Sequence, residues 1–209
     1  MHDYSIDNHP KEKVLFILAL IAITLAPIIQ NIAERAVTYL KISAQWSSAP
    51  AVAIPVFGLF AALYLLFDKV LWKVSWLRKV LLVPDLNGAW KCLGHTILKN
   101  GERVDIDWGA DVSITQSWSK ILIHLRTSQS ESKSISASLF HENGVGFRLL
   151  FQYDNKPNAD ELDLKNHSGC SELLFNEAVT EGAGSYYTDR HRTTVGTMSL
   201  TKDEKNATA

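Results

Sequence analysis

The 209-residue chain carries a formal net charge of −1, with 46% hydrophobic and 21% charged residues. That balance hides two unlike halves: residues 1–83 hold 8 Lys/Arg against 5 Asp/Glu, and residues 84–209 hold 13 against 17. An acidic second half excludes the broad basic face that duplex nucleic acid needs, so any nucleotide partner is small and held by a few local cations.

From Val14 to Ile29 the chain reads VLFILALIAITLAPII, uncharged and with Thr24 as its polar group. Extended to Ala33, the run reaches about 20 residues, enough to span a hydrocarbon core of about 30 Å. Pro27 lies near the far end, where a kink is tolerated. A second uncharged run, residues 49–67 (APAVAIPVFGLFAALYLLF), is just long enough to return. A cleaved leader fits poorly: Lys11 and Lys13 supply a basic start, but the apolar run is long and no convincing A-x-A site follows. The loop between the runs contains Glu34, Arg35, Lys41 and an interface-suited Trp46.

Lys11 and Lys13 precede the first run, and Lys69, Lys73, Arg78 and Lys79 follow the second. The bias predicts a two-span protein with both termini on the cytoplasmic side. After Phe67, DKVLWKVSWLRKVLLV keeps helical spacing, with Trp72 and Trp76 four residues apart among Lys and Arg. It predicts a juxtamembrane helix, or a continuation of the second span, ended by Pro84. The expected division is therefore 1–83 (tail, spans at about 14–33 and 49–67, juxtamembrane helix) and 84–209 (cytoplasmic β domain).

Beyond Pro84 the period changes to two. Val104, Ile106, Trp108, Ala110, Val112 and Ile114 alternate with Asp105, Asp107, Gly109, Asp111 and Ser113, a half-buried strand in which Gly109 offers a bulge or bend. Ala89–Leu98 precedes it through the hairpin signal Asn100-Gly101. Lys120–Thr127 and Ser134–Phe140 follow, the latter with Ile135, Ala137 and Leu139 in phase. After a second Asn-Gly at 143–144 come Phe147–Tyr153, Cys170–Phe175, Gly184–Thr188 and Thr193–Thr201, with Asn155–Lys165 as the longest loop. The prediction is an all-β domain of about eight antiparallel strands. Closure as an up-and-down, lipocalin-like barrel removes reactive edges and leaves room for one small ligand. A sandwich is the alternative. The aspartates at 105, 107 and 111 argue against a membrane-spanning barrel.

Catalytic signatures are missing: there is no HExxH, GxSxG, P-loop or full GxGxxG, and the seven histidines are scattered. Cys92 and Cys170 form no CxxC or Cys/His spacing and read as small buried residues. No enzyme activity, metal or cofactor is expected. The densest polar cluster is GAGSYYTDRHRTTVG, residues 182–196. If the strand runs on, Tyr186, Arg190, Arg192 and Thr194 share one face. Arg forks grip phosphate oxygens and tyrosine rings stack on bases. The other reading is a hairpin turn through Asp189–Arg192 with solvated charges.

The β half opens with Leu86-Asn87-Gly88-Ala89-Trp90, a lipocalin-like G-x-W. It contains His167-Ser168-Gly169 and closes on Gly184-Ser185-Tyr186-Tyr187-Thr188-Asp189-Arg190 and Gly196-Thr197-Met198. Behind two spans, this resembles the two-transmembrane, β-strand-rich effectors of bacterial CBASS anti-phage defence, the SMODS- or CD-NTase-associated effectors. The resemblance implies a β-barrel that senses a cyclic dinucleotide. It also implies inner-membrane hairpins that oligomerise on activation and disrupt the lipid bilayer. The candidate ligand residues are Tyr186, Tyr187, Arg190, Arg192, Thr193 and His167, which faces either the pocket or a turn. Trp90 is expected to plug the closed end, and Gly58, Ala61 and Ala62 to offer a small-residue face for helix packing. Arg126 and Arg148, out of phase with their apolar neighbours, are expected in solvent. Two alternatives stand beside this reading: a tethered lipocalin-like carrier of an apolar ligand, and a ligand-free interaction tether.

Overall fold

The computed structural model describes residues 1–7, 9–39, 53–161, 164–189 and 193–203. The chain divides into two compact units: His9–Leu77, and Met1–Asn8 together with Arg78–Ala209.

In the first unit, helix α1 (Lys11–Tyr39) starts at Pro10, whose carbonyl accepts the Val14 N–H. Proline suits that place because its missing N–H would have no helical partner. The stretch Lys11–Ala36 is long and apolar enough to cross a membrane. Thr24, within that stretch, donates its hydroxyl back to Leu20 O and Ile21 O, so this hydroxyl is satisfied within the helix. Helix α2 (Ala53–Lys69) packs against α1, where Leu18, Ala22 and Ala26 are buried at helical spacing. Phe16, Ile17, Ile23, Ile28 and Ile32 are exposed, an apolar surface that suits lipid and not water. Residues 49–52 of the expected second run, Lys41 and Trp46 lie outside the described residues.

The segment after Phe67 differs from the expected single helix. It breaks into a 3-10 turn (Leu71–Lys73), an extended Val74 and a short helix α3 (Ser75–Leu81). Trp72 is fully buried and Trp76 exposed, so the two rings do not share a face. Helix α3 ends where the Val83 N–H reaches back to Arg78 O across a left-handed Leu82 (φ 54°), and Pro84 follows.

The second unit is a closed barrel. Its strands are β3 (Gly88–Lys99), β4 (Glu102–Gln116), β5 (Lys120–Arg126), β6 (Ser130–Glu142), β7 (Gly146–Pro157), β8 (His167–Phe175), β9 (Glu181–Thr188) and β10 (Thr194–Lys202). Each pairs antiparallel with the next, and β10 returns to β3 with Leu200 opposite Cys92. The predicted eight-stranded up-and-down barrel is therefore the observed fold. Asn100 and Gly101, both at positive φ, make the first hairpin turn.

Bulges fall elsewhere than expected. Gly109 pairs in regular register with Leu93, while shifts occur at Thr96/Leu98, Ser134/Ser136 and Val195/Gly196. The Ser134/Ser136 bulge resets the phase of β6, so Ser130, Ser132 and Ser134 point inward and Ile135 outward, 45% exposed. Strand β7 also runs further than the alternation suggested, to Pro157, which turns Asn155 inward from its expected place in a loop.

Two short strands were not foreseen. β1 (His2–Asp3) pairs antiparallel with β5, and β2 (Ser5–Ile6) pairs parallel with β6. They fill the place where β5 and β6 part, since those two strands pair directly only over 124–126 and 131–133.

One end of the barrel is solid. Trp90 is 1% exposed, its indole N–H donates to Leu86 O at 3.1 Å, and its ring meets Phe175 edge-on at 5.2 Å. Leu86, Trp118, Ile121, Leu139, Leu149, Leu173 and Leu200 complete this core. Burial pushes the Cys92 thiol up to about 12, so it stays protonated. We expect Trp90→Ala to lose about 3–5 kcal/mol of barrel stability in denaturant unfolding, because a large buried ring leaves a cavity. Iodoacetamide at mildly alkaline pH should label half-buried Cys170 first and Cys92 only on unfolding.

Candidate ligand-binding site

Along β4 the inward residues become wetter towards the other end. Ile114 is 2% exposed, Trp108 is half-buried, and Ile106 is 45% exposed. The same phase that builds the core thus runs out into a cavity of about 430 Å³ at the end opposite Trp90. That volume falls within the roughly 300–1,000 Å³ of small-ligand sites.

Besides Phe151, three aromatic side chains line the cavity, and each of the three lies directly opposite a glycine on the neighbouring strand: Trp108 opposite Gly94, Tyr153 opposite Gly169, and Tyr186 opposite Gly196. A Cβ on Gly94 would fall inside the Trp108 ring. On Gly169 it would lie 2.4 Å from the Tyr153 hydroxyl, and on Gly196 it would lie 2.6 Å from the Tyr186 ring. The glycines let the rings lie down against the wall and keep the middle open. Tyr186 ties this side together: its hydroxyl sits 2.7 Å from Thr96 Oγ1 and accepts the Trp108 indole N–H at 3.2 Å. The two rings meet edge to face, 5.6 Å apart.

The rest of the lining is polar. Asn155 Nδ2 donates to Ser130 Oγ and Ser132 Oγ at 3.0 and 2.8 Å. Asn155 Oδ1 and Ser171 Oγ are buried and have no hydrogen-bond partner among the described residues. Thr188, Thr194 and His167 add further polar lining, and Lys99 brings a positive charge. Such a surface suits a ligand with hydrogen-bonding edges and flat rings better than a hydrocarbon chain, which would leave these groups unsatisfied.

The expected site residues are distributed unevenly. Tyr186 and His167 line the cavity, His167 with its Nδ1 3.1 Å from Lys165 O. Tyr187 faces the outer wall at 58% exposure, where a hydrogen bond with the Cys170 thiol raises its pKa above the ordinary phenol value. Thr193 is exposed, 3.5 Å from Asn100 Oδ1. Arg190 and Arg192 lie outside the described residues. β9 stops at Thr188 and β10 starts at Thr194, so the expected run-on strand is interrupted here. Both flanking threonines line the cavity, so the connection carrying the two arginines leaves from and returns to its mouth. Arg148 points outward and pairs with Glu142 and Glu172, as its phase predicted.

Residues 81–202 match the family described as "Cap15, cyclic dinucleotide receptor domain", and residues 12–73 match "Cap15, TM helices". The chain belongs to the Cap15 family. It is also 39% identical over 147 residues to "CD-NTase-associated protein 15" of Yersinia aleksiciae, covering 70% of this chain and 69% of that protein. The Cap15 membership makes the chain a CBASS effector with a membrane region and a cyclic dinucleotide receptor domain, in agreement with the resemblance carried by Gly88-Ala89-Trp90 and the β9–β10 motifs. The receptor match takes in the entire cavity.

Sequence reasoning missed Trp108, Asn155 and the serines at 130 and 132 as lining. The serines had a signal, the alternation Ser-Glu-Ser-Lys-Ser, but a polar inward face looks like a solvated strand until the bulge is known. We expect Tyr186→Phe to lower stability by about 1–3 kcal/mol in denaturant melts, because Thr96 and the Trp108 N–H lose a buried partner. An unchanged melt would remove Tyr186 from that central role.

Proposed function

We propose that the barrel cavity binds a cyclic dinucleotide and that binding assembles the membrane helices of several copies into a bilayer-disrupting oligomer. The observation that carries this reading is a receptor-family cavity lined by the rings of Trp108, Tyr153 and Tyr186 interspersed with serine, threonine and asparagine groups. The rings offer stacking faces for bases, and the hydroxyls and amides offer edges to hydrogen-bond. Tyr186 and His167 contact the ligand inside. Arg190 and Arg192, in sequence between the cavity-lining Thr188 and Thr194, supply phosphate-gripping cations in addition to Lys99. No catalysis is involved, and duplex nucleic acid is not a partner of so acidic a domain.

The chain crosses the bacterial inner membrane twice, with both termini and residues 84–209 in the cytoplasm, as the flanking lysines and arginines favour. Gly58, Ala61 and Ala62 on α2 are exposed in the single chain, a small-residue face on which a second hairpin packs. Ligand binding drives this association.

Thermal melting of the purified chain against cyclic di-GMP, cyclic di-AMP, mixed cyclic dinucleotides and fatty acids tests the reading. A ligand at a hundredfold excess over its Kd adds about 2.7 kcal/mol of apparent stability. We expect one cyclic dinucleotide to raise the midpoint and Arg190→Ala or Arg192→Ala to abolish the shift without unfolding the barrel. A shift with fatty acids alone would overturn the proposal.

A further inference from the structure

The barrel wall has one weak seam, and the chain's first residues fill it. β5 and β6 share three residue pairs, His124–Lys133, Leu125–Ser132 and Arg126–Glu131. Leu125 and Ser132 of those pairs line the cavity. Below them the strands part, and the wall is completed by β1 on β5 (His2 opposite Ile121, Asp3 opposite Lys120) and β2 on β6 (Ser5 opposite Ser138, Ile6 opposite Leu139). Tyr4, between the two footholds, is 4% exposed, and Ile6 is buried beside it.

Side chains tie this strap to two places that matter. His2 Nε2 lies 2.7 Å from Ser134 Oγ, and the same Oγ accepts the backbone N–H of Ile123, a cavity residue. At the other end, Gln116 Nε2 donates to the Tyr4 hydroxyl at 3.0 Å, while Gln116 Oε1 accepts the Leu86 N–H at 2.8 Å. One buried glutamine therefore holds the segment that leads into α1 and the segment that comes from α3. Only Asp7, Asn8, His9 and Pro10 separate Ile6 from the first residue of α1.

We propose that residues 2–6 are a latch that ties the start of α1 to the barrel and is released when the cavity fills. The inference rests on the proposed binding of a cyclic dinucleotide in the cavity. A ligand that engages Ile123, Leu125 and Ser132 acts on both sides of the seam. The strap bridges those sides with two residue pairs each, the least-bonded part of the wall and so the first to open locally. The state in which β5 and β6 have adjusted to the ligand is the state in which one foothold is lost, and binding selects it. Freed from the wall, α1 can move to pack against other copies.

The test is a reversible lock in the full-length chain. Ser5 and Ser138 hydroxyls are 2.7 Å apart on paired residues at the surface, so Ser5→Cys with Ser138→Cys places two thiols within disulfide reach. Without ligand, mild oxidation should form this disulfide within one chain, confirmed by peptide mapping against Cys92 and Cys170. The cyclic dinucleotide that shifts the melting curve should slow its formation markedly. The preformed lock should abolish dye release from vesicles carrying the chain, leave the ligand-induced melting shift in place, and yield to reductant with recovery of release. Tyr4→Ala, which empties the strap's buried anchor, should release dye without ligand. Unlocked chains that release dye, together with locked chains that release it equally, would overturn the latch while leaving the receptor reading intact; so would a crosslinking rate unmoved by saturating ligand. Absence of any melting shift with the cyclic dinucleotide panel would overturn the receptor reading and the latch with it.

Discussion

Trp90 lies across the base of the barrel with its N–H on Leu86 O and its ring edge against Phe175. That contact sets the polarity of the domain. An eight-stranded barrel has interior volume for one layer of large side chains or for one small ligand, and here it holds both at different heights. With Trp90, Trp118 and Phe175 concentrated at the base, the other end is left to more polar residues, and the cavity opens there. The base supplies the stability, which frees the mouth to carry groups that a well-packed core would reject.

Those groups are arranged with economy of space. Trp108, Tyr153 and Tyr186 are too large for the mouth unless something small lies across from each, and Gly94, Gly169 and Gly196 do so in register. The serine side depends on a different device, the bulge at Ser134/Ser136, which turns a solvated alternation inward. Aromatic faces interspersed with hydroxyl and amide groups form a surface for a flat, polar, multiply hydrogen-bonding ligand. Among the described residues, positive charge comes to the lining from the exposed Lys99. A cation there keeps its hydration until a ligand arrives, whereas inside the barrel its desolvation would be costly.

Much of this was legible in the sequence, and the exceptions share a cause. Period-two alternation found all eight barrel strands, Asn100-Gly101 found its turn, and the uncharged run from Val14 found α1, because each signal is local. Trp90 was placed correctly from the G-x-W context. What local pattern could not give was anything set by a partner strand. The β6 bulge, the extension of β7 that carries Asn155 inward, and the break between α2 and α3 are all tertiary outcomes. The segment HDYSI was the least legible. Five residues ahead of a membrane helix look like a tail, and nothing short of the gap between β5 and β6 reveals that Tyr4 and Ile6 have a buried place to go.

The most direct test of the account is the indole N–H region of the nitrogen-15 correlation spectrum, recorded with and without a cyclic dinucleotide. Trp108 hydrogen-bonds to Tyr186 inside the cavity, and Trp90 is sealed against Leu86 at the base, so the two indoles report on the two ends separately. A cyclic dinucleotide bound in the cavity should move the Trp108 resonance strongly and leave Trp90 in place. Binding that shifts Trp90 and spares Trp108, or that shifts neither, would put the ligand outside the cavity and contradict the account.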